Sequence, residues 1–416
     1  MLFGAGLFSS VSAQNYSGGT GEPSNPYQIS TPSDMNDIGN HPEDYNKCFI
    51  MMNDINLADY TGTQFNIIGT DSNAFTGVFD GNGHKISKFS YDSSGASNIG
   101  VFGMVIGENA EIKNLGLIEP NITGTGNFVG PVAGHIWDGV ALHNCYANGG
   151  QVIGFGVIGG LVGHTHTSSV TNSYSTTRVS AHDRAGGLVG AALYSSITNS
   201  YATGDVSGTD FMIGSLVGEN EYDSTITNCF AAGAVDGNNF IGGLVGINGE
   251  NGTIENCYSA GQVSGNYEVG GLLGRNGESA ISNCYTSGSV DGNDAIGGLV
   301  GYDNGDCFYS KCFWDSDISP DVNGIGNIND PNVIGQSTAN MKKQNTFNDS
   351  NNGDDDDWDF VRLGIWSIGE NQTYPYLRVY SLGDINHDKV VNFIDVAILA
   401  DHWLECNLYP PEACWE

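Results

Sequence analysis

The sequence has few basic residues and no long hydrophobic run. Lys and Arg total 13 against 47 Asp and Glu, which gives a formal net charge of −34. Because so acidic a surface repels phosphate backbones and anionic lipid, we expect no nucleic-acid partner. No stretch approaches the roughly 18 consecutive apolar residues of a membrane helix, so we expect no membrane span. Zinc-protease and nucleophile signatures are also missing from the sequence.

Glycine, in contrast, is abundant, at 61 of 416 residues, and much of it belongs to a repeat. The tetrapeptide Gly-Leu-Val-Gly starts at residues 160, 187, 243 and 298, and near copies start at 215 and 271. Successive starts are therefore 27 or 28 residues apart. A fixed period of this length indicates a repeat architecture rather than a conventional globular domain.

A second motif keeps the same period. It is an Asn-Cys-Tyr or similar triplet, with an apolar residue two positions before the Asn. Its asparagines are Asn144, Asn172, Asn199, Asn228, Asn256 and Asn283. The apolar runs are too short for helices, whereas three short strands per repeat would fit them. The sequence therefore predicts an all-β fold, a parallel β-helix or solenoid of about nine rungs, since no rung can bury its apolar face alone.

Strand alternation sets the expected facing of each column of equivalent residues. It puts Ile254, Asn256 and Tyr258 on the internal face and Cys257 on the other, although a turn at the Asn would change this parity. Stacked Asn side chains would hydrogen-bond as a ladder. We expect the Cys/Ser column to keep free thiols, because side chains stacked in parallel do not easily reach disulfide geometry.

Both ends of a solenoid need caps, because open parallel edges recruit other chains. Residues 31–38 predict a short capped helix, and alternation over residues 49–57 predicts a first strand. After the last repeat, Ser337 is a candidate helix start within a C-terminal cap.

The Gly-Gly-Leu-Val-Gly and Asn-Cys-Tyr motifs together resemble the GLUG-motif family of bacterial secreted and cell-surface proteins, over residues 95–315. The resemblance implies a repeat found in adhesin-like proteins and beside protease domains. It implies no catalytic residue, because the repeat itself carries none.

The C-terminal tail contains a candidate calcium loop. Its oxygen ligands have EF-hand-like spacing, and they would be Asp384, Asn386, Asp388, the carbonyl of Val390, Asn392 and Asp395. Hard oxygen ligands at this spacing suit Ca²⁺. The loop resembles a type I dockerin repeat, although it is single and has Lys389 where Gly is usual. The resemblance implies a cohesin-like or cell-surface protein as partner.

These features divide the chain into five parts. They are a signal-peptide remnant (1–13), an N-terminal cap with the first rungs (14–94), the GLUG-repeat solenoid (95–315), a C-terminal cap (316–380) and the dockerin-like calcium-binding tail (381–416). The remnant is an apolar run that ends in small residues and lacks a basic start. We therefore expect a secreted or cell-surface protein.

Three histidines form a further candidate site. His135 and His164 follow the glycine motif in adjacent rungs, and His166 is two residues further on. Three imidazoles on one outer face could hold a transition metal. Because no Cys or carboxylate is clearly placed to complete the ligand shell, we favour surface histidines without a ligand.

The sequence favours a non-catalytic adhesin or scaffold, whose solenoid face would bind extracellular polysaccharide or protein. The rival is a β-helix polysaccharide lyase or glycosidase. A glycosidase needs a positioned carboxylate pair, and a lyase needs a base with cationic or calcium neutralisation. Arg178, Arg184 and Arg275 are scattered, and rungs of nearly constant length leave little room for an irregular active-site loop.

Overall fold

The structure, a computed structural model, describes residues 16–348, 358–360 and 365–378. These residues form a parallel β-solenoid of about ten turns, which confirms the expected fold class. The candidate signal-peptide remnant, residues 1–13, and the candidate calcium loop lie outside the described residues. Within the described residues, no helix is long and apolar enough to cross a membrane.

Each full rung passes through four parallel sheets, here numbered in the order in which the chain enters them. Sheet 1 contains eleven strands: Tyr27–Ile29, Cys48–Met51, Val78–Asp80, Glu111–Lys113, Ala141–His143, Ser169–Thr171, Ser196–Thr198, Thr225–Thr227, Thr253–Glu255, Ala280–Ser282 and Phe308–Ser310. Sheet 2 contains eleven strands: Ile55–Asn56, Lys85–Ser87, Gly116–Ile118, Tyr146–Asn148, Tyr174–Ser175, Tyr201–Ala202, Phe230–Ala231, Tyr258–Ser259, Tyr285–Thr286, Cys312–Asp315 and Val333–Gln336.

The other two sheets complete the rung. Sheet 3 contains eight strands: Ser90–Ser93, Asn121–Gly124, Gln151–Ile153, Arg178–Ala181, Val206–Gly208, Val235–Asp236, Val263–Ser264 and Val290–Asp291. Sheet 4 receives two segments from most rungs. Its first segments are Ile158–Gly159, Ala185–Gly186, Phe211–Gly214, Asn239–Gly242 and Tyr267–Gly270, and its second segments are Phe102–Ile106, Ala133–Trp137, Val162–His166, Val189–Leu193, Val217–Glu221, Val245–Gly249 and Leu273–Gly277. In the last rung one strand, Asp294–Asp303, joins both series and pairs with Asn323–Ile325.

A full rung therefore has five short strands, and the expectation of three was wrong. The glycine motif is the reason. A Cβ on Gly242 would lie 1.8 Å from the carbonyl oxygen of Val245, and one on Gly246 would lie 2.6 Å from the amide nitrogen of Ile213. The motif thus lets the two segments of sheet 4 meet backbone to backbone, where no side chain fits.

The core is a set of aliphatic columns inside the coil. In sheet 1 the central residue of each strand from Val78–Asp80 onward is buried, and Ile197, Ile226 and Ile254 pair in register. The column extends toward the N-terminal side, because Ile112 pairs with Leu142 in sheet 1. Ile86 belongs to sheet 2, where it pairs with Leu117.

The facing expected around the Asn column was also wrong, because each Asn makes a turn. Asn256 has φ 52, in the left-handed region that Asn tolerates better than most residues. The turn reverses the alternation of inward and outward side chains. Cys257 is therefore buried, and Tyr258 projects outward and is half-buried. The Asn ladder is present in part, as Asn199 donates to Asn172 at 3.2 Å and Asn228 donates to Asn199 at 3.2 Å.

The outward rings form an aromatic ladder along sheet 2. Successive rings have centroids 4.8 to 5.1 Å apart and planes within 2 to 8° of parallel. The ladder consists of Tyr146, Tyr174, Tyr201, Phe230, Tyr258 and Tyr285. Stacked rungs place one ring above the next at about 4.8 Å, so the ladder follows from the strand spacing.

The cysteines of the inward column are free, as expected. They are buried, and burial raises the pKa of each thiol. They are Cys145, Cys229, Cys257, Cys284 and Cys312.

Both predicted cap helices are present. The N-terminal helix is Pro32–Ile38, and Thr31 caps it in a capping box with Asp34. A 3₁₀ turn follows at Pro42–Asp44. The strand expected over residues 49–57 is instead two strands, Cys48–Met51 and Ile55–Asn56.

At the C-terminal side, Ser337 caps the helix Thr338–Met341, and a 3₁₀ turn follows at Gln344–Thr346. The antiparallel pair Trp366–Ser367 and Tyr376–Leu377 closes the cap. Its aromatic side chains form a second buried cluster over the end of the aromatic ladder.

Candidate binding face

One outer face of the solenoid varies from rung to rung. On the second segments of sheet 4, two outward columns alternate with an inward, buried column that includes Thr165 and Asn220. The first column is Met104, His135, His164, Ala191, Glu219, Ile247, Arg275 and Tyr302. The second is Ile106, Trp137, His166, Leu193, Glu221, Gly249 and Gly277. We call these two columns the variable face, because they change residue type at nearly every rung, unlike the aliphatic columns of the core.

The candidate histidines lie on the variable face, but two of them are not surface residues. His135 and His164 are each 8% exposed, and their Nε2 and Nδ1 atoms lie 2.9 Å apart. The ring of Phe128 covers both, with its centroid 4.9 Å from each imidazole. Burial lowers the pKa of His135 to about 4 and that of His164 to about 3. Both are therefore neutral at neutral pH.

Within the described part of the chain, the histidines have no metal-binding partners. Among the described residues, no group of three or more His, Cys, Asp and Glu side chains is arranged to hold a metal ion. Instead, His164 and His135 pack against each other and against Phe128 as a small aromatic cluster.

An aromatic row, missed in the sequence, follows the edge of this face. It consists of Trp137, His166, Tyr194 and Tyr222, one from each of four successive rungs. The centroids are 5.5, 5.4 and 5.2 Å apart in that order. Trp137 is 44% exposed and Tyr194 is 50% exposed. The sequence pattern that could have revealed the row is an aromatic residue that recurs near the end of the strand after the glycine motif, outside the repeated motifs.

A shallow open groove lies beside the aromatic row, where sheet 4 turns into sheet 1. Its volume is about 350 Å³. The lining residues are Gly139, Thr167, Ser168, Ser169, Tyr194, Ser195, Ser196, Asp223 and Thr225. Three of the hydroxyl residues, Ser169, Ser196 and Thr225, pair in register along sheet 1. One side of the groove is therefore lined by a row of hydroxyl groups that runs along the solenoid axis.

Further along the variable face lies a pair of carboxyl groups, also missed in the sequence. Glu219 is buried, and its carboxyl group hydrogen-bonds that of Glu221. Burial, with the charge of Glu221 next to it, raises the pKa of Glu219 to about 7, against the opposing effect of Arg184. The Arg184 Nε atom lies 2.6 Å from the carboxylate of Glu219.

Each of the three arginines considered in the sequence analysis lies next to an acidic side chain. Besides Arg184, Arg275 pairs with Glu268 and lies over the ring of Phe240, 4.1 Å from its centroid. Arg178 lies at sheet 3, 3.8 Å from Asp205. These arginines therefore do not converge on one site.

Comparisons with known proteins agree with the repeat. Residues 182–207, 210–236, 237–264 and 265–291 match the family model described as the GLUG motif. These segments are GLUG repeats. A stretch of 166 residues is 35% identical to Halomucin of Haloquadratum walsbyi, covering 38% of this chain and 2% of that protein. Another match, 36% identical over 126 residues, is to a protein of Evansella cellulosilytica named as a Gly-rich membrane protein, covering 29% of this chain and 14% of that protein.

The chain thus spans only a small part of the curated relatives that it matches. Among solved structures, a protein described as an immunoglobulin A1 protease from Bacteroides ovatus superposes with a TM-score of 0.49 and 23% identity, covering 60% of this chain and 80% of that one. An IgA1 protease gives a TM-score of 0.39 at 17% identity, covering 62% of this chain and 21% of that one.

Proposed function

We propose that this protein is a non-catalytic β-solenoid of the cell surface or extracellular space, adhesin-like or a scaffold, that binds its partner through the variable face. The observation that carries the proposal is the contrast between columns. The aliphatic columns inside the GLUG repeats keep one residue type, as Ile197, Ile226 and Ile254 do, whereas the variable face changes at nearly every rung. In repeat proteins the stacked framework supplies stability, and an extended outer surface supplies recognition.

The proposed location is supported by the relatives. Proteins named Halomucin and Gly-rich membrane protein match 38% and 29% of this chain, respectively. The acidic composition is compatible with a salty or calcium-containing exterior, where counterions screen the charge of −34.

The second part of the proposal is a calcium-binding C-terminal module for attachment. It is supported by the oxygen ligands of the tail at EF-hand-like spacing: Asp384, Asn386, Asp388, Val390, Asn392 and Asp395. In this proposal Ca²⁺ orders the tail, and the ordered tail binds a cohesin-like or other cell-surface protein.

The alternative is a carbohydrate-active enzyme, and the Glu219–Glu221 pair is the observation that favours it. A carboxyl group with its pKa raised to about 7 is suited to donate a proton at neutral pH. The pair, however, is in hydrogen-bond contact, whereas glycosidases separate their two carboxyl groups by about 5 Å or more. We therefore favour binding over catalysis.

Cell fractionation with and without a calcium chelator tests the proposal. We expect the full-length protein in the surface fraction, and we expect the chelator to release it. Asp384→Ala with Asp395→Ala should release it without chelator, whereas Asp401→Ala, an acid of the same tail outside the loop, should behave as wild type. Recovery of the protein inside the cell would overturn the proposed location. Retention unaffected by chelator and by the loop variants would overturn the calcium module.

A further inference from the structure

We propose that the aromatic row and the groove beside it bind a neutral polysaccharide chain that lies along the solenoid axis. The inference rests on the proposed binding function and names the ligand class. It uses a surface at the edge of the variable face, formed by Trp137, His166, Tyr194 and Tyr222 with the adjoining hydroxyls.

The spacing of the rings fits a chain of sugars. Each rung advances the row by about one strand spacing, roughly 4.8 Å, and neighbouring centroids are 5.2 to 5.5 Å apart. An extended glycan advances by a similar step per sugar. The apolar C–H face of a pyranose ring can therefore pack on an exposed aromatic ring, and the next sugar meets the next rung. Trp137 and Tyr194 are the two most exposed rings of the row, at 44% and 50%, so they offer the most surface to a sugar.

The groove supplies polar contacts at the same step. Ser169, Ser196 and Thr225 stand one above another on sheet 1, next to the row. Hydroxyl groups both donate and accept hydrogen bonds, which matches the hydroxyls at the edge of a sugar ring. An aromatic surface with a few placed polar groups is the usual composition of a ligand site.

The charges around the row select a neutral chain. Asp138 and Asp223 are exposed beside it, and Glu221 is half-buried on the same face. None of the residues that line the groove is Lys or Arg. A uronate-rich or sulfated polysaccharide would meet like charge here, so electrostatics disfavours it.

The backbone conformation of the tyrosines in the row also favours a ligand site. Tyr194 and Tyr222 have φ 51 and 55, and a left-handed conformation costs a residue with a side chain about 1 kcal/mol. Equivalent turns in other rungs use Asp138, Thr167 and Glu250. Tyr194 stacks on Tyr222 at this turn and is still 50% exposed, so a ligand that packs on its exposed part would help to offset the conformational cost.

Affinity electrophoresis of the full-length protein through gels that contain soluble polysaccharide tests the inference. The probes are neutral β-glucan, galactomannan and starch, with alginate and polygalacturonate as anionic counterparts. We expect at least one neutral glycan to retard wild-type protein. Trp137→Ala and Tyr194→Ala should each weaken binding about tenfold. Phe155→Ala is the matched control, because Phe155 is 53% exposed, stacks on His182 and lies in the turn before sheet 4.

The outcomes separate the two proposals. No retardation by any neutral glycan, or retardation that both row variants leave unchanged, overturns the neutral-glycan site. If the protein instead binds an anionic glycan or a surface protein, the binding scaffold stands and only the ligand class is wrong. Circular dichroism and thermal unfolding of each variant confirm that a loss of binding is not a loss of fold.

Discussion

The backbone amide of Cys229 donates to the Sγ atom of Cys257 in the next rung, 3.4 Å away. Elsewhere in the same column a hydroxyl accepts the equivalent hydrogen bond, since the amide of Cys145 donates to the Oγ atom of Ser173 at 3.1 Å. The thiols of this column are thus acceptors for buried backbone groups at the Asn turns. Their role is structural, and it needs neither a disulfide nor a metal.

Cys257 offers the first prediction. Cys257→Ser should cost less than about 1 kcal/mol in the free energy of unfolding, because the hydroxyl replaces the acceptor. Cys257→Ala should cost about 2 kcal/mol, because it leaves the buried Cys229 amide without its partner. Urea unfolding followed by circular dichroism measures both. Equal stability of the two variants would show that the thiol is only a space filler.

The second prediction concerns the glycine motif. Gly246→Ala places a Cβ 2.6 Å from the Ile213 amide nitrogen and should destabilise the fold by about 1–3 kcal/mol. Gly277→Ala is the matched control, because its Cβ would meet Asn304 at an ordinary 3.6 Å. Its effect should stay within about 0.5 kcal/mol. Thermal unfolding compares them, and similar losses at both sites would contradict the backbone-to-backbone contact.

The buried histidine pair predicts a pH dependence. The folded protein holds His135 and His164 neutral, with pKa values of about 4 and 3, whereas the unfolded chain takes up protons near pH 6.5. Their contribution to stability is therefore complete above pH 6.5. It falls by about 1.4 kcal/mol per pH unit for each histidine as the pH drops toward 4.

The measurement is the difference in unfolding free energy between wild type and His164→Gln at pH 8, 6 and 5. The comparison with a variant is needed because Glu219, with its raised pKa, is more stabilising at low pH and acts in the opposite direction. We expect wild type to lose its advantage over the variant as the pH falls. A difference independent of pH would show that His164 is not buried as described.

The repeat period, the aliphatic columns, the free thiols and both cap helices were predictable from the sequence. They follow from periodicity and from local capping signals such as Thr31 and Ser337. The outward orientation of Tyr258 was not predictable from the sequence, because the left-handed residue Asn256 reverses the alternation of inward and outward side chains. The aromatic row was missed for another reason. Trp137 and Tyr194 occupy non-equivalent positions in their rungs, so only the coiled chain brings them into one line.

The C-terminal cap provides the fourth prediction. The Tyr285 hydroxyl donates to the carbonyl of Pro375 at 2.6 Å and joins the cap to the aromatic ladder. Tyr285→Phe should weaken docking of the cap by about 1 kcal/mol and speed limited proteolysis of the cap. Tyr174→Phe, a change in the same ladder away from the cap, should not. Equal protease resistance in both variants would refute this role of the hydroxyl.

We propose that the solenoid binds a ligand and does not catalyse a reaction. The most direct measurement places one sample of purified full-length protein on a panel of neutral and acidic glycans, and records retention, reducing ends and absorbance at the wavelength of unsaturated uronates. We expect wild type and Glu219→Gln alike to be retained by a glycan without releasing any product. Release of reducing ends or unsaturated products by wild type, abolished in Glu219→Gln, would contradict it and identify the protein as an enzyme.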